Sequence, residues 1–290
     1  MQTGSVTGAA SIILRTQPQV SRMIASLEAR LALQLFRREG RRLIPTEHAL
    51  QLLQYIEPLM LGLDGIVNAA QDIKDKRGRR LVIAAEPFLL HALVPHALEQ
   101  IRRENDVRLA VDLCVRGLGL WMSRGIADLG VVALPFSQTD MSPAPFADAE
   151  VVVALPPRHR LAHRKIVAFS DLGAEPFIAL RPSTLLRARI DIAAASEGVS
   201  INPVIEVSSG VVACELVARG LGITVADPIV AASFGASRIA VKRMSAPLQL
   251  TYGFLVPDDG KPPAPTRSVM EAIARSAARL GGGFVKIHRD

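Results

Sequence analysis

The pattern of apolar residues changes near residue 80 of this 290-residue chain, and that change limits the folds open to it. Before it, apart from one short hairpin, apolar residues recur at helical spacing. After it, short apolar runs alternate with helical stretches: LVIAA from Leu81, then VRLAVDLCV, LGVVAL, VVVAL, FIAL, PVIEV and GITVA. Such alternation predicts α/β layers around a parallel sheet. Helices are expected at Phe88–Arg103, Leu120–Gly125, Leu185–Glu197 and Gly210–Arg219. LQLTYGFLV should return to the first sheet, and Pro265–Leu280 should close it as a terminal helix. Two open lobes joined by crossing segments bind a small ligand in the cleft between them.

The first part of the chain has a different logic. Ser5 to Leu14 carries small and apolar residues at helical spacing, with Ser5 or Thr7 available as a cap. A turn at Leu14–Thr16 leads to Pro18, which is tolerated in a first helical turn. The second helix then places Val20, Met23, Ile24, Leu27 and Leu31 on one face and Gln17, Gln19, Ser21 and Arg22 on the other. Gln and Arg can bond base edges in pairs, and Thr16 or Ser21 beside a helix N-terminus suits a phosphate. Leu35 and Phe36 read as core anchors, while Arg37, Arg38, Arg41 and Arg42 flank Gly40 in a tight hairpin, a basic wing suited to a DNA backbone. The plainer alternative is a helical hairpin with a solvated arginine cluster.

From Thr46 to Asp75 one helical stripe runs through Leu50, Leu53, Ile56, Leu63, Ile66 and Ile73, with Pro58 expected to kink it. A helix this long outruns one small domain and calls for a partner helix, the alternative being a helix lying along its own domain. Charge follows the same division. Residues 1–80 carry 12 Lys+Arg against 7 Asp+Glu, and the other 210 carry 22 against 20, so the excess positive charge sits at the end expected to meet DNA.

Several classes are disfavoured. No apolar run approaches a membrane span, and Met1 begins no basic-then-apolar leader, so a cytoplasmic protein is expected. The two cysteines, Cys114 and Cys214, lie in apolar contexts without a CxxC pair and read as buried thiols. His159 and His163 are four apart but lack an acidic third ligand, so no metal and no cofactor is expected. The GLG at Gly220–Gly222 follows a helix and precedes a strand, the reverse of a dinucleotide loop. The chain has no Walker lysine motif, GxSxG or HExxH. No enzyme is expected. The alternative is a stand-alone α/β ligand-binding or catalytic domain with a non-functional N-terminal remnant.

The wording of the chain adds to this. GSVTGAA, TQPQVSR, LE and LFRREGRRLIPT together resemble the N-terminal domain of LysR-type transcriptional regulators, and the resemblance runs to near residue 280. The DLG around Asp128, ALPPRHRLA and LVARGLGITVADP are most similar to the branch that senses amino acids and opines. The resemblance implies an α/β regulator with a winged helix-turn-helix at 1–46, a dimerisation linker helix and hinge at 47–80, and an effector-binding domain at 81–290 similar to periplasmic binding proteins. Lobe 1 would span 81–148 and 250–290, and lobe 2 would span 149–249. It also implies a helix preceding the present residues, with Met1 lying inside it. Either the start is assigned downstream of the true one, which the legible TQPQVSR and wing favour, or the chain is a truncation whose DNA-binding core lacks a wall. The expected partners are double-stranded DNA, a small effector, a homodimer assembling as a dimer of dimers, and RNA polymerase.

Through the same resemblance, DNA contact falls to Thr16, Gln17, Gln19, Ser21, Arg22, Arg37, Arg38, Arg41 and Arg42. The turn after the first strand, where the family often has Ser or Thr for a ligand carboxylate, reads Ala85-Glu86-Pro87-Phe88 here. Glu86 would either cap its helix or face the cleft and favour an ammonium or guanidinium group. Opposite, Ser208 and Ser209 at a strand-to-helix junction can donate to an anion, with Phe88, Arg181 and Asp227 bordering the site.

Overall fold

The structure, a computed structural model, describes residues 3, 5–39, 42–53, 55–56, 74, 80–104, 109–113, 117–136, 141–257 and 262–288. It divides into two compact units, Met1–Asp75 and Lys76–Asp290.

In the first unit, Ser5 Oγ accepts from Gly8 N at 3.0 Å and starts helix Val6–Ile12. A short turn through Leu14 at φ +53° leads to helix Gln17–Leu31. Glu28 on that helix accepts from the backbone N–H groups of Leu35 (2.7 Å) and Phe36 (2.9 Å), tying the helix to the hairpin that follows. The hairpin pairs β1 (Phe36–Glu39) with β2 (Arg42–Pro45), from Phe36 opposite Pro45 to Glu39 opposite Arg42. Thr46 then bonds back to Gln34 O (2.7 Å) while its Oγ1 accepts from Ala49 N (3.3 Å), so one residue closes the wing and opens the next helix. Residues 47–53 and 55–56 are helical. The rest of the expected linker stripe, and Pro58, lie outside the described residues.

The apolar face expected on helix Gln17–Leu31 is only partly covered. Val20 is buried, but Met23 is 58% exposed, Leu27 43% and Leu31 40%. Among the described residues of this unit the buried apolar side chains are Ala10, Val20, Leu35 and Ala49.

The second unit has two lobes. Lobe 1 is a sheet in the order β14-β6-β13-β5-β3-β4, from β3 (Leu81–Ala85), β4 (Leu109–Leu113), β5 (Leu129–Leu134), β6 (Ala144–Glu150), β13 (Gln249–Leu255) and β14 (Val285–Ile287). β4, β3 and β5 are parallel, whereas β13, β6 and β14 run antiparallel to their neighbours. Lobe 2 has the order β11-β7-β12-β8, from β7 (Val152–Leu155), β8 (Ile166–Val167), β11 (Thr224–Ala226) and β12 (Ala240–Met244). Beside it lies a parallel pair, β9 (Phe177–Leu180) and β10 (Pro203–Val207), attached through a bridge between Phe177 and Ile223.

The sheets are therefore mixed rather than parallel throughout. Parallel neighbours need a crossover element, and β13 has none because it arrives from the other lobe. The chain crosses between lobes twice, at Val151 and at 245–248, and the crossings are joined by Val151 N donating to Leu248 O at 2.8 Å. Alternation along the strands sends Ile83, Ala85 and Val131 to one face of the lobe 1 sheet, and Ala84 and Val132 to the other. The first face joins a core continuous through both lobes; the second packs under Leu118, Trp121 and Met122. The helix expected at Phe88–Arg103 is two, Pro87–Ala92 and Val94–Glu104, with the break at Leu93.

Candidate functional site: a winged helix-turn-helix and an effector cleft

On the first unit, most of the expected DNA-contacting side chains lie along one exposed helix. Thr16 N donates to Gln19 Oε1 at 2.9 Å, so Gln19 caps the helix and its carbonyl is engaged within the protein. Gln17 Nε2 reaches Ser21 Oγ at 3.4 Å, and Arg22 Nε reaches Pro18 O at 3.4 Å. These two long, exposed bonds leave Gln17 and Arg22 free to exchange for bonds to a ligand. On the wing, Arg37 pairs with Glu39 at 3.0 Å, an exposed ion pair, and Arg38 is exposed. Arg41 and the side chain of Arg42 lie outside the described residues.

In the second unit β3 lies between β4 and β5, with chain connections leaving in opposite directions, so the crevice beyond its carboxyl end is the topological switch point of the sheet. Glu86 occupies that point. It begins helix Pro87–Ala92, yet its side chain makes no capping bond. Instead Glu86 Oε2 accepts from Ala133 N, near the end of β5, at 2.7 Å, while Glu86 N donates to Val131 O. Burial raises the carboxyl above its ordinary value, partly offset by the Ala133 N–H. Of the two roles open to Glu86 in the sequence, capping is therefore not the one taken up.

Helix Pro87–Ala92 packs against helix Gly210–Ala218 of lobe 2. That second helix starts at Ser209, whose side chain makes no capping bond, and Ser208 is exposed. The first-turn N–H groups of a nine-residue helix, with two hydroxyls beside them, make an anion-accepting end. Phe88 is half-buried against the core, and Arg181 is exposed, with its backbone bonded to Val207 O at 2.9 Å.

Asp227 differs from the expectation that it borders the cleft. It is buried, and its Oδ1 accepts from Ile229 N (2.8 Å) and Val230 N (3.1 Å), capping helix Pro228–Ser233. Its Oδ2 accepts from the Tyr252 hydroxyl at 2.5 Å. With its lone pairs committed inside the core, it has no face toward a ligand. The sequence offered no sign of this partner, since Tyr252 is one residue in an apolar strand twenty-five positions away.

The remaining candidates are structural. Asp128 of the DLG accepts from Val82 N at 2.8 Å and fixes the start of β5 on β3. His159 turns to Glu175 at 3.2 Å rather than toward His163, and among the described residues no group of His, Cys, Asp or Glu is arranged to hold a metal. Cys214 is fully buried, and burial beside Asp227 pushes its thiol up to about 12. Cys114 lies outside the described residues. Among the described residues no helix is long and apolar enough to cross a membrane.

An exposed helix-turn-helix with a basic wing, carried on a chain whose other unit is a two-lobed α/β fold with a switch-point crevice, defines a ligand-responsive DNA-binding protein. Comparison with known proteins gives the family. Residues 1–50 match the bacterial regulatory helix-turn-helix domain of the lysR family, and residues 74–278 match the LysR substrate binding domain. The chain belongs to the LysR family of transcriptional regulators.

It is 31% identical over 265 residues to the regulatory protein NocR of Agrobacterium tumefaciens, covering 91% of this chain and 88% of NocR. It is 33% identical over 260 residues to the octopine catabolism/uptake operon regulatory protein OccR of Rhizobium meliloti, covering 88% and 84%. The transcriptional activator protein LysR of Escherichia coli is 31% identical over 259 residues, covering 89% and 83%. The solved structure of CbnR, a LysR family regulator, superposes with a TM-score of 0.66 over 95% of each chain at 16% identity, which shows the shared fold. These relatives and both matched domains are those of regulators, so the catalytic alternative is set aside.

Proposed function

We propose that this regulator is controlled by a small zwitterionic or basic effector, an amino acid or an opine, bound between the lobes of its second unit. The observation that carries this reading is the Glu86 carboxylate. It is largely buried at the switch point, one oxygen is held by Ala133 N, and among the described residues no cationic side chain pairs with it. A desolvated carboxylate of this kind gains most from an ammonium or guanidinium group that brings its own charge. Ser208 and Ser209, at the start of a helix touching the one Glu86 begins, supply the end that takes the effector's carboxylate. Phe88 and Arg181 border the same region. That OccR is named for octopine catabolism agrees with this class.

Effector binding biases the relative positions of the effector domains in an oligomer and so changes how the DNA-bound helices engage an operator. In this reading residues 1–46 hold the operator, 47–80 form the dimerising helix and hinge, and 81–290 sense the effector. The protein works in the cytoplasm as a dimer of dimers, with RNA polymerase as its further partner. Calorimetry of the full chain against L-arginine, L-lysine, octopine and succinate tests the effector class. A cationic ligand should bind and succinate should not; tightest binding by the dicarboxylate would overturn the proposal.

A further inference from the structure

Helix Gln17–Leu31 opens with two exposed glutamines, Gln17 and Gln19, and nothing in the sequence separates them. Their hydrogen bonds do. Gln19 Oε1 accepts from Thr16 N at 2.9 Å and from the Thr16 hydroxyl at 3.2 Å. A backbone N–H can only donate, so the oxygen of the Gln19 amide, and not its nitrogen, must be the atom turned toward Thr16. An amide oxygen has two lone pairs, and here both are filled. The nitrogen keeps two N–H groups, and among the described residues neither has an acceptor. Gln17 is the opposite case: its Nε2 spends one N–H on Ser21 Oγ at 3.4 Å, while its oxygen accepts nothing from the described residues.

What an amide presents decides which base it can read. Glutamine reads adenine with both its groups at once, the oxygen accepting from N6 and the nitrogen donating to N7. With its oxygen committed, Gln19 could make that pair only by stripping the helix start of the bond that closes it. Two donors fit guanine instead, the one base whose major-groove edge sets two acceptors, N7 and O6, side by side. Cytosine offers an amino donor there, and thymine a single acceptor beside a methyl group. In a helix-turn-helix the N-terminal residues of the second helix contact the base edges, and Gln19 lies in the first turn of that helix. A phosphate is the weaker match, because an uncharged amide brings no charge to it, whereas the exposed Arg22 and Arg38 do.

We infer that Gln19, its carbonyl locked by Thr16, is a donor-only reader that specifies guanine at one operator position and rejects adenine there. This role rests on residues 1–46 holding the operator, as proposed above, and adds the base that one position of the operator must carry.

The test is selection of bound duplexes from a library with a randomised central segment, using the full chain and three Gln19 variants, followed by sequencing. Wild type should enrich a site with guanine at the position that Gln19→Ala relaxes, preferred over adenine there by about fivefold or more, as one good base contact gives. Gln19→Glu keeps an oxygen to accept from Thr16 N, and a carboxylate suits a helix start, so this variant should fold. Having acceptors only, it should turn the same position away from guanine toward a base that presents an amino group, cytosine or adenine. Gln19→Lys separates reading from capping: it has donors but no oxygen, so it loses the cap and should still select guanine. It also decides the matter if the negative charge of Gln19→Glu weakens DNA binding too far for a site to be selected. Adenine at that position in the wild-type site, guanine retained by Gln19→Glu or lost by Gln19→Lys, or a loss in Gln19→Ala that is uniform over all sequences overturns the role. A uniform loss is what a cap alone, or a phosphate contact, would give. Random recovery by wild type overturns the operator reading as well, whereas an enriched site without this guanine leaves that reading standing and removes only the role of Gln19.

Discussion

Replacing Glu86 by Gln separates what this side chain does for the fold from what it does for a ligand. Gln keeps an oxygen to accept from Ala133 N, at present a 2.7 Å bond, and keeps nearly the same volume. It removes only the charge. Because burial raises the Glu86 carboxyl, the folded state holds its proton to higher pH than the unfolded chain does. A raised carboxyl contributes stability that is fully present below the unfolded value and is lost as pH rises through the folded one, so at pH 7.5 the ionised form is a net cost. Glu86→Gln should therefore melt at the wild-type temperature or above it at pH 7.5, a gain of about 0–1 kcal/mol. Affinity for a cationic ligand should move the other way. Losing one charge-assisted bond costs about 2–4 kcal/mol, or roughly 30- to 1,000-fold in Kd. The pH profile adds a second signature: wild-type binding of L-arginine or octopine should weaken as pH falls through the raised value, and the Gln variant should show no such slope. Thermal melts and calorimetry from pH 5 to pH 8 read all of this. Destabilisation without loss of affinity would make Glu86 a structural carboxylate and refute the reasoning.

Other positions give independent checks. Gly222 has φ +152°, and a Cβ there would strike the Pro176 carbonyl, which is itself held by Ile223 N at 2.9 Å. Backbone strain of about 1–3 kcal/mol adds to that clash, so Gly222→Ala should lower the urea midpoint markedly, and an unchanged midpoint would contradict the local geometry. The Cys214 thiol, buried and pushed up to about 12, should resist iodoacetamide at pH 8 until the protein unfolds. Mass spectrometry showing native alkylation at the rate of a free thiol would refute its burial. In competition gel shifts Arg22→Ala should cost about 1–3 kcal/mol on specific DNA only, whereas Arg38→Ala on the wing should weaken all sequences alike and reduce the salt slope. Equal losses on specific and random DNA for Arg22→Ala would remove its base-reading role.

Much of this architecture was legible because local and global signals agree. Ser5 and Pro18 mark helix starts, LVIAA and GITVA are strands, and the two-lobed α/β class follows from the alternation. What was hidden is what depends on partners distant in sequence. β6 reads APFADAE, whose alternation is too weak to suggest a strand, and it forms because β13 and β14 flank it. Of the antiparallel half of the lobe 1 sheet only β13 was expected, as LQLTYGFLV returning to the first sheet, whereas β6 and β14 were not. Glu86 stood out only through the resemblance, as a carboxylate where the family often has a hydroxyl, but its bond to Ala133 N crosses 47 positions. Asp227 looked like a cleft residue because it ends a strand, yet its environment is decided by Tyr252 and by the helix it caps.

The central claim is that this chain reads an operator under the control of a cationic small molecule. Fluorescence anisotropy of the full chain on DNA from immediately upstream of its own gene, against random DNA of equal length, with and without the ligand found by calorimetry, tests it most directly. The account predicts preference for the upstream fragment by about a thousandfold or more, steep salt dependence, and a ligand-dependent change in that binding which Glu86→Gln abolishes. Equal affinity for both fragments, or a ligand response intact in Glu86→Gln, would contradict it.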